Sequence, residues 1–155
     1  MFCLIVDTNM IHWLTETSED NSTIVIGLLK KQRGKLYIGG ELKHEFPPRL
    51  RPWLAAGVRA GWIVNVSDDE VDQETTWLKV HHILESNDHH VVALARVSGA
   101  RVLVSCDQAL RQDFRNLSLI SQPPGKLLPF NADKTRVRKF LQRRRLCTQN
   151  AETPA

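Results

Sequence analysis

The sequence predicts an α/β fold on a mainly parallel sheet, and three observations predict it. Leu4-Ile5-Val6-Asp7 is an apolar run that stops on a carboxylate. Arg101-Val102-Leu103-Val104-Ser105-Cys106-Asp107 repeats that pattern late in the chain. Between them, short apolar runs alternate with longer segments of helical character, the order of a doubly wound strand-crossover arrangement. In such sheets ligands bind beyond the carboxyl ends of the strands, above all where strand order reverses. Asp7 and Asp107 would then emerge on one edge. Carboxylates held together repel unless a proton or a cation lies between them, so the pattern points to a divalent-metal site.

The elements follow in order. After Asp7, Thr8 or Asn9 can cap a helix over 8–14. Residues 16–22 read as a polar loop, and 23–31 as a helix capped by Asn21 or Ser22 and stopped at Gly34. Leu36-Tyr37-Ile38, between glycines, reads as the second strand. A helix starting at Glu41 is cut short by Pro47-Pro48, which remove donors and crowd the preceding turn. That leaves an irregular or broken helical connection to Ala60. Residues 62–66 alternate as a strand, and Ser67 caps a helix whose opening acids, Asp68, Asp69 and Glu70, suit the positive end of its dipole. This helix runs toward Leu84 and breaks at Ser86-Asn87. Asp88 opens another, ended by Ser98-Gly99, and the strand at 101–105 follows. Residues 107–114 form a short helix and 117–120 the last short strand, before Pro123-Pro124-Gly125.

The chain of 155 residues fits one domain with a sizeable core. No apolar run approaches the roughly 20 residues that span a bilayer, and no basic region precedes the short apolar start. The expectation is a cytoplasmic protein with no membrane partner. Cys3, Cys106 and Cys147 are odd in number and lack a Cys-x-x-Cys pair, so they are expected to frame neither a disulfide scaffold nor a zinc site. The net charge of +4 is unevenly placed. Residues 1–133 carry 14 Lys and Arg against 16 Asp and Glu, whereas the rest carries 7 basic residues and only Glu152. Basicity belongs to the tail.

Acids at element boundaries leave Asp7, Glu45 or Glu41, Asp88 and Asp107 as a constellation, with Asp113 as an outrider. Glu41 and Glu45 lie one helical turn apart and share a face. Magnesium and manganese take oxygen ligands of this kind together with water and phosphate oxygens. Each aspartate also has a capping reading, yet a cap need not follow a buried strand on one sheet edge repeatedly.

At this point the residues resemble the PIN-domain nucleases, in order and spacing over about residues 3–130. Leu4-Ile5-Val6-Asp7-Thr8-Asn9 is similar to that family's first strand and first acid. Asn87-Asp88-His89-His90-Val91-Val92-Ala93-Leu94-Ala95 is similar to its third-acid helix. Leu103-Val104-Ser105-Cys106-Asp107-Gln108-Ala109-Leu110 is similar to its closing strand, hydroxyl residue and fourth acid. Glu45 matches the second acid, with Glu41 as the alternative, and Pro47-Pro48 departs from the family's longer helix.

The resemblance implies a three-layer α/β/α fold over 1–130 and a metal-dependent endoribonuclease that hydrolyses phosphodiester bonds of single-stranded RNA. Its cofactor would be Mg²⁺ or Mn²⁺. Asp7, Asp88 and Asp107 would be metal ligands, Glu45 the fourth catalytic acid, and Thr8, Asn9 and Ser105 would fix carboxylate rotamers; Asp113 would sit at an outer water, though on its own it reads rather as a solvated helix residue. Two roles stay open: a toxin held by a small antitoxin protein, in a family whose toxins often form homodimers, and an enzyme of RNA processing. The alternative is a non-catalytic nucleic-acid-binding or scaffold module, against which the intact acid set weighs. An aspartyl-phosphate phosphatase would need a second Asp two positions after Asp7, where Asn9 stands.

Adjacent histidines on a helix diverge by roughly 100° and do not chelate together, so His81-His82 and His89-His90 read as surface or partly packed residues. Trp13, Trp62 and Trp77 read as packing anchors. Trp53, among Arg49, Arg51 and Arg59, could stack a base beside phosphate contacts. Residues 131–155 form a basic C-terminal segment in which Arg136, Arg138, Lys139, Arg143, Arg144 and Arg145 would lie on RNA, disordered after Cys147. A helix docked on the acidic body is the competing reading.

Overall fold

A computed structural model describes residues 1–16 and 19–148. Among them, five parallel strands form one sheet: β1 (Phe2–Val6), β2 (Gly34–Gly39), β3 (Ile63–Val66), β4 (Val102–Val104) and β5 (Lys126–Leu127). Their order is β3-β2-β1-β4-β5. The chain winds outward from β1 through β2 to β3, then returns to β4 on the other side of β1. The strand order reverses at β1 and β4, which pair in parallel with Val6 opposite Val104. Helices flank the sheet, giving the three-layer α/β/α fold: α1 (Ile11–Glu16), α2 (Asp20–Lys30), α3 (Gly40–Glu45), α4 (Arg51–Ala60), α5 (Asp68–His81), α6 (His89–Ser98), α7 (Gln108–Arg115) and α8 (Lys134–Leu141). Every residue of β1 and β4 is buried. A strand covered on both faces carries aliphatic side chains throughout, which is why both read as unbroken apolar runs.

Several boundaries differ from expectation for identifiable reasons. The connection over 47–60 is ordered: a 3-10 turn, Pro48–Leu50, leads into the regular helix α4. Pro48 and Pro52 each occupy a first-turn position, where a missing N–H costs nothing, so prolines start helical structure directly after Pro47-Pro48 has stopped α3. Helix α2 begins at Asp20, inside the expected loop, and neither Asn21 nor Ser22 caps it. Asn21 instead donates to the carbonyls of Phe130 and Ala132. Ser67 precedes α5 without a side-chain cap bond, and that helix ends at His81, short of Leu84. Residues 17 and 18 of the expected 16–22 loop lie outside the described residues.

No strand forms over 117–120, and the fifth strand is β5, a few residues later. One carbonyl of that stretch and two just beyond it are taken by guanidinium groups. Arg96 donates to the Leu119 carbonyl, and Arg101 to those of Pro123 and Ser121. The Leu119 and Ile120 amides fold back onto the Asn116 carbonyl as a turn. Arg101 is buried; four backbone carbonyls receive its donors, and burial pushes its pKa down.

The basic segment packs on the body through the apolar residues interleaved in it. Val137, Phe140 and Leu141 are buried, and Asp133 caps α8 by accepting from the Arg136 amide at 3.0 Å. Leu146 then bridges to Phe2, and Cys147 to Ala100. Cys147 forms a disulfide with Cys3, across 144 residues of sequence. This corrects the reading of the cysteines as unpaired: only Cys106 is free among the described residues, and it is exposed. Pairing between the two ends of a chain leaves no local spacing signal. Residues 149–155, where disorder was expected, lie outside the described residues. No described helix is long and apolar enough to cross a membrane.

A bond closing so long a loop restricts the unfolded chain strongly, by about 2–4 kcal/mol in measured proteins. Reduction of the protein, or Cys147→Ser, is therefore expected to lower unfolding stability by about 3 kcal/mol. Urea melts with and without reductant check this; a reductant effect absent from the wild type, or retained by the variant, contradicts it.

Candidate active site at the switch point

Asp7 follows β1 at the point where strand order reverses, and it is buried. Its Oδ1 accepts from the Thr8 amide at 2.8 Å, which caps the 3-10 turn Thr8–Met10, and its Oδ2 accepts from the Ser105 hydroxyl at 2.8 Å. Ser105, just past β4, is wholly buried, and its oxygen also accepts from the Asp107 amide at 3.1 Å. One hydroxyl thus ties the first and last acids. The Asp107 Oδ1 accepts from the amides of Ala109 and Leu110, capping α7. Asn9, from the other side, accepts the Cys106 amide at 3.4 Å.

Asp88 stands at the N-terminus of α6 and makes no side-chain cap bond. Its carboxyl is pushed above the ordinary range, first by burial and then by the charge of Asp7. His90 pulls in the opposite direction, and Asp107 pushes the same way as Asp7. Three aspartates from β1, α6 and α7 therefore converge. Their donor set is all oxygen and mutually repulsive, which fits a hard divalent cation.

The loop before α6 is held from behind. Asp113, 2% exposed, accepts from the amides of Glu85 and Ser86 and from the Ser86 hydroxyl at 2.6 Å. The Ser86 oxygen in turn accepts from the Asp88 amide at 3.2 Å. Asp113 is thus a buried brace for the Asp88 loop.

Helix α3 supplies the glutamates. Gly40 opens it at φ +59°, and a Cβ there would lie 2.6 Å from Val71, so the turn accepts only glycine without strain. The Gly40 amide and Lys43 both donate to Asp68 on α5, at 3.0 and 3.2 Å. These contacts, Lys43 first, hold the Asp68 carboxyl below its ordinary range. Glu45 so positioned accepts from the Thr8 hydroxyl at 3.0 Å, linking it to the residue beside Asp7. Glu41 and Glu45 flank His90, whose Nδ1 lies 3.3 Å from one and Nε2 3.0 Å from the other. These three residues form a group that could hold a metal ion.

The expectation that His90 is a surface or partly packed residue is thereby corrected: it is 6% exposed. Its signal lay in helical phase, since it precedes Leu94 by four residues on the stripe that α6 buries. Arg111 was also missed. It donates to the Ser105 carbonyl at 3.0 Å and so steadies the loop between β4 and α7.

The basic residues are dispersed. Arg49 forms a two-point ion pair with Glu16, at 2.6 and 3.1 Å, which lowers the Glu16 pKa and occupies the guanidinium. Arg51 is exposed on a groove that includes Lys43 and His44. Trp53 packs edge-on against buried Trp62, ring centres 5.2 Å apart. Arg136, Arg138, Lys139, Arg143, Arg144 and Arg145 are all exposed, with Arg143 lying over the Phe140 ring.

Compared with known proteins, the chain matches no family model and no curated sequence.

Asp113→Ala removes the acceptor of three donors, the two of Ser86 buried, and is expected to cost about 3 kcal/mol of stability, given the usual penalty for stranding charge-assisted hydrogen bonds. Amide hydrogen exchange at Glu85 and Ser86 should accelerate in the variant; unchanged protection there contradicts the bracing role.

Proposed function

We propose that this chain is a PIN-like, Mg²⁺- or Mn²⁺-dependent endoribonuclease acting on single-stranded RNA. The observation that carries the reading is the convergence of Asp7, Asp88 and Asp107 on the carboxyl edge of β1 and β4, with burial and like charge raising the Asp88 carboxyl. A fold that needed these acids only as caps would have no reason to leave Asp88 uncapped among two others. The exposed basic face of α8 supports a polyanionic substrate, since phosphate neutralisation by Lys and Arg supplies most non-specific affinity for nucleic acids.

In this reading Asp7 and Asp107 would hold the cation, with Asp88 beside them and Glu45 closing the ring through Thr8. When bound, the cation supplies an activated water and neutralises charge on the leaving oxygen. The chain's own residues do the positioning. Ser105 keeps the Asp7 carboxylate turned toward the edge, the α7 amides fix one oxygen of Asp107, and the Asp113 brace sets the height of Asp88. Water then attacks phosphorus in line, one phosphodiester P–O bond breaks, and the departing oxygen takes up a proton.

Purified protein is expected to cut a mixed single-stranded RNA with Mn²⁺ or Mg²⁺ and not with EDTA. Asp7→Asn and Asp107→Asn should each lower the rate at least about 100-fold, the equivalent of a few kcal/mol of lost charge stabilisation. RNA binding without cleavage by any preparation, insensitive to EDTA and to both substitutions, overturns the nuclease reading in favour of a nucleic-acid-binding module.

A further inference from the structure

We infer that Glu41, Glu45 and His90 form a second cation site, distinct from the three-aspartate centre and built for a borderline transition ion such as Zn²⁺ rather than for Mg²⁺. The inference does not depend on nuclease activity, although Glu45 borders both sites.

The first observation is the donor set. One carboxylate oxygen from each glutamate and one ring nitrogen of His90 all lie within 4.8 Å of one another. Metal–ligand bonds of about 2.0–2.2 Å place two ligands of one ion roughly 3–4 Å apart, and the 3.0 Å between His90 Nε2 and Glu45 Oε1 falls within that span. Both glutamate side chains retain exposure, Glu41 67% and Glu45 38%, so they have room to close on an ion.

The second observation is independent and concerns His90 alone. Its Nε2 is buried and has no hydrogen-bond partner among the described residues, because the close Glu45 oxygen is poorly aligned with the ring N–H direction. A histidinium serving only as an ion-pair partner would aim that N–H at the carboxylate. Buried ring nitrogens are ordinarily satisfied, and one left over beside two carboxylates calls for a ligand.

The ligand types then set the metal. Imidazole suits zinc and its neighbours in the first transition row, whereas magnesium keeps to oxygen and holds its waters. Three protein ligands leave a position open, unlike a closed structural zinc site. The scaffold is firm: α3 is tied to α5 through Asp68, and His90 sits in the first turn of α6.

The test uses the full chain carrying Asp107→Asn, so that the aspartate centre is impaired while asparagine preserves the cap. Zn²⁺ is titrated by calorimetry, and the imidazole nitrogens of His90 are followed by ¹⁵N resonance. One Zn²⁺ is expected to bind, to shift the His90 Nε2 resonance, and to survive excess Mg²⁺. Adding Glu41→Gln, an exposed change that leaves the fold intact, should weaken binding at least about 10-fold, no less than the loss of an outer-shell partner costs; His90→Asn should abolish it. An unmoved Nε2 resonance, displacement by Mg²⁺, or equal affinity in the Glu41→Gln protein overturns the inference, and Glu41→Gln decides alone should His90→Asn not fold. RNA cleavage enters none of these readouts, so a chain that binds Zn²⁺ here and cuts nothing overturns only the nuclease reading.

Discussion

The hydroxyl of Ser105 is the contact on which the site depends. It donates to Asp7 and accepts from the Asp107 amide, in a position with no exposure to solvent. It can do so only because β1 and β4 are adjacent, parallel and in the register that sets Val6 opposite Val104. A shift of one residue would turn the alternating side chains to the other face and part the two acids. The buried apolar strands hold that register by packing and by the ladder between them, continued by the Asp7 amide, which donates to the Val104 carbonyl at 2.9 Å.

Around this contact the chain assembles charges that would separate in an unfolded state. Asp7 and Asp107 each spend carboxylate oxygens on backbone amides. Asp88 has no such cap bond, and it is the one whose carboxyl is driven upward. Its support comes through its backbone, from Ser86 and buried Asp113 behind it. The far end of the sheet is stabilised differently, by the Cys3–Cys147 disulfide and the bridge from Leu146 to Phe2. Disulfides are rare in reducing cytosol, so this pairing bears directly on the compartment in which the chain folds.

Much of this was legible in the residues. Unbroken apolar runs ending on Asp7 and just before Asp107 marked the two central strands, and their common edge followed from the rule for parallel sheets. The helix after Asp88 showed in its apolar stripe, and the short one after Asp107 in its cap. What stayed hidden depends on tertiary partners. Strand β5 is two residues long and pairs only because β4 is there, while Arg96 and Arg101 take the carbonyls of the more apolar stretch before it. Asp113 looked solvated because nothing local shows that the 85–86 amides fold over it. His90 took its meaning from α3, which the sequence places nearly fifty residues away. The pair Pro47-Pro48 was read for what it ends, while the first-turn places of Pro48 and Pro52 show what prolines begin.

The central claim is that Asp7, Asp88 and Asp107 are held together against their own repulsion in a way that a divalent cation relieves. Thermal unfolding of the wild type and Asp88→Asn at pH 7, in EDTA and in Mn²⁺, tests it most directly. Neutralising Asp88 removes a charge that the fold disfavours, so in EDTA the variant should melt a few degrees above the wild type, a shift of about 1 kcal/mol. Mn²⁺ should raise the wild-type midpoint and move the variant's far less. A variant that melts below the wild type in EDTA and gains as much from Mn²⁺ would contradict the account.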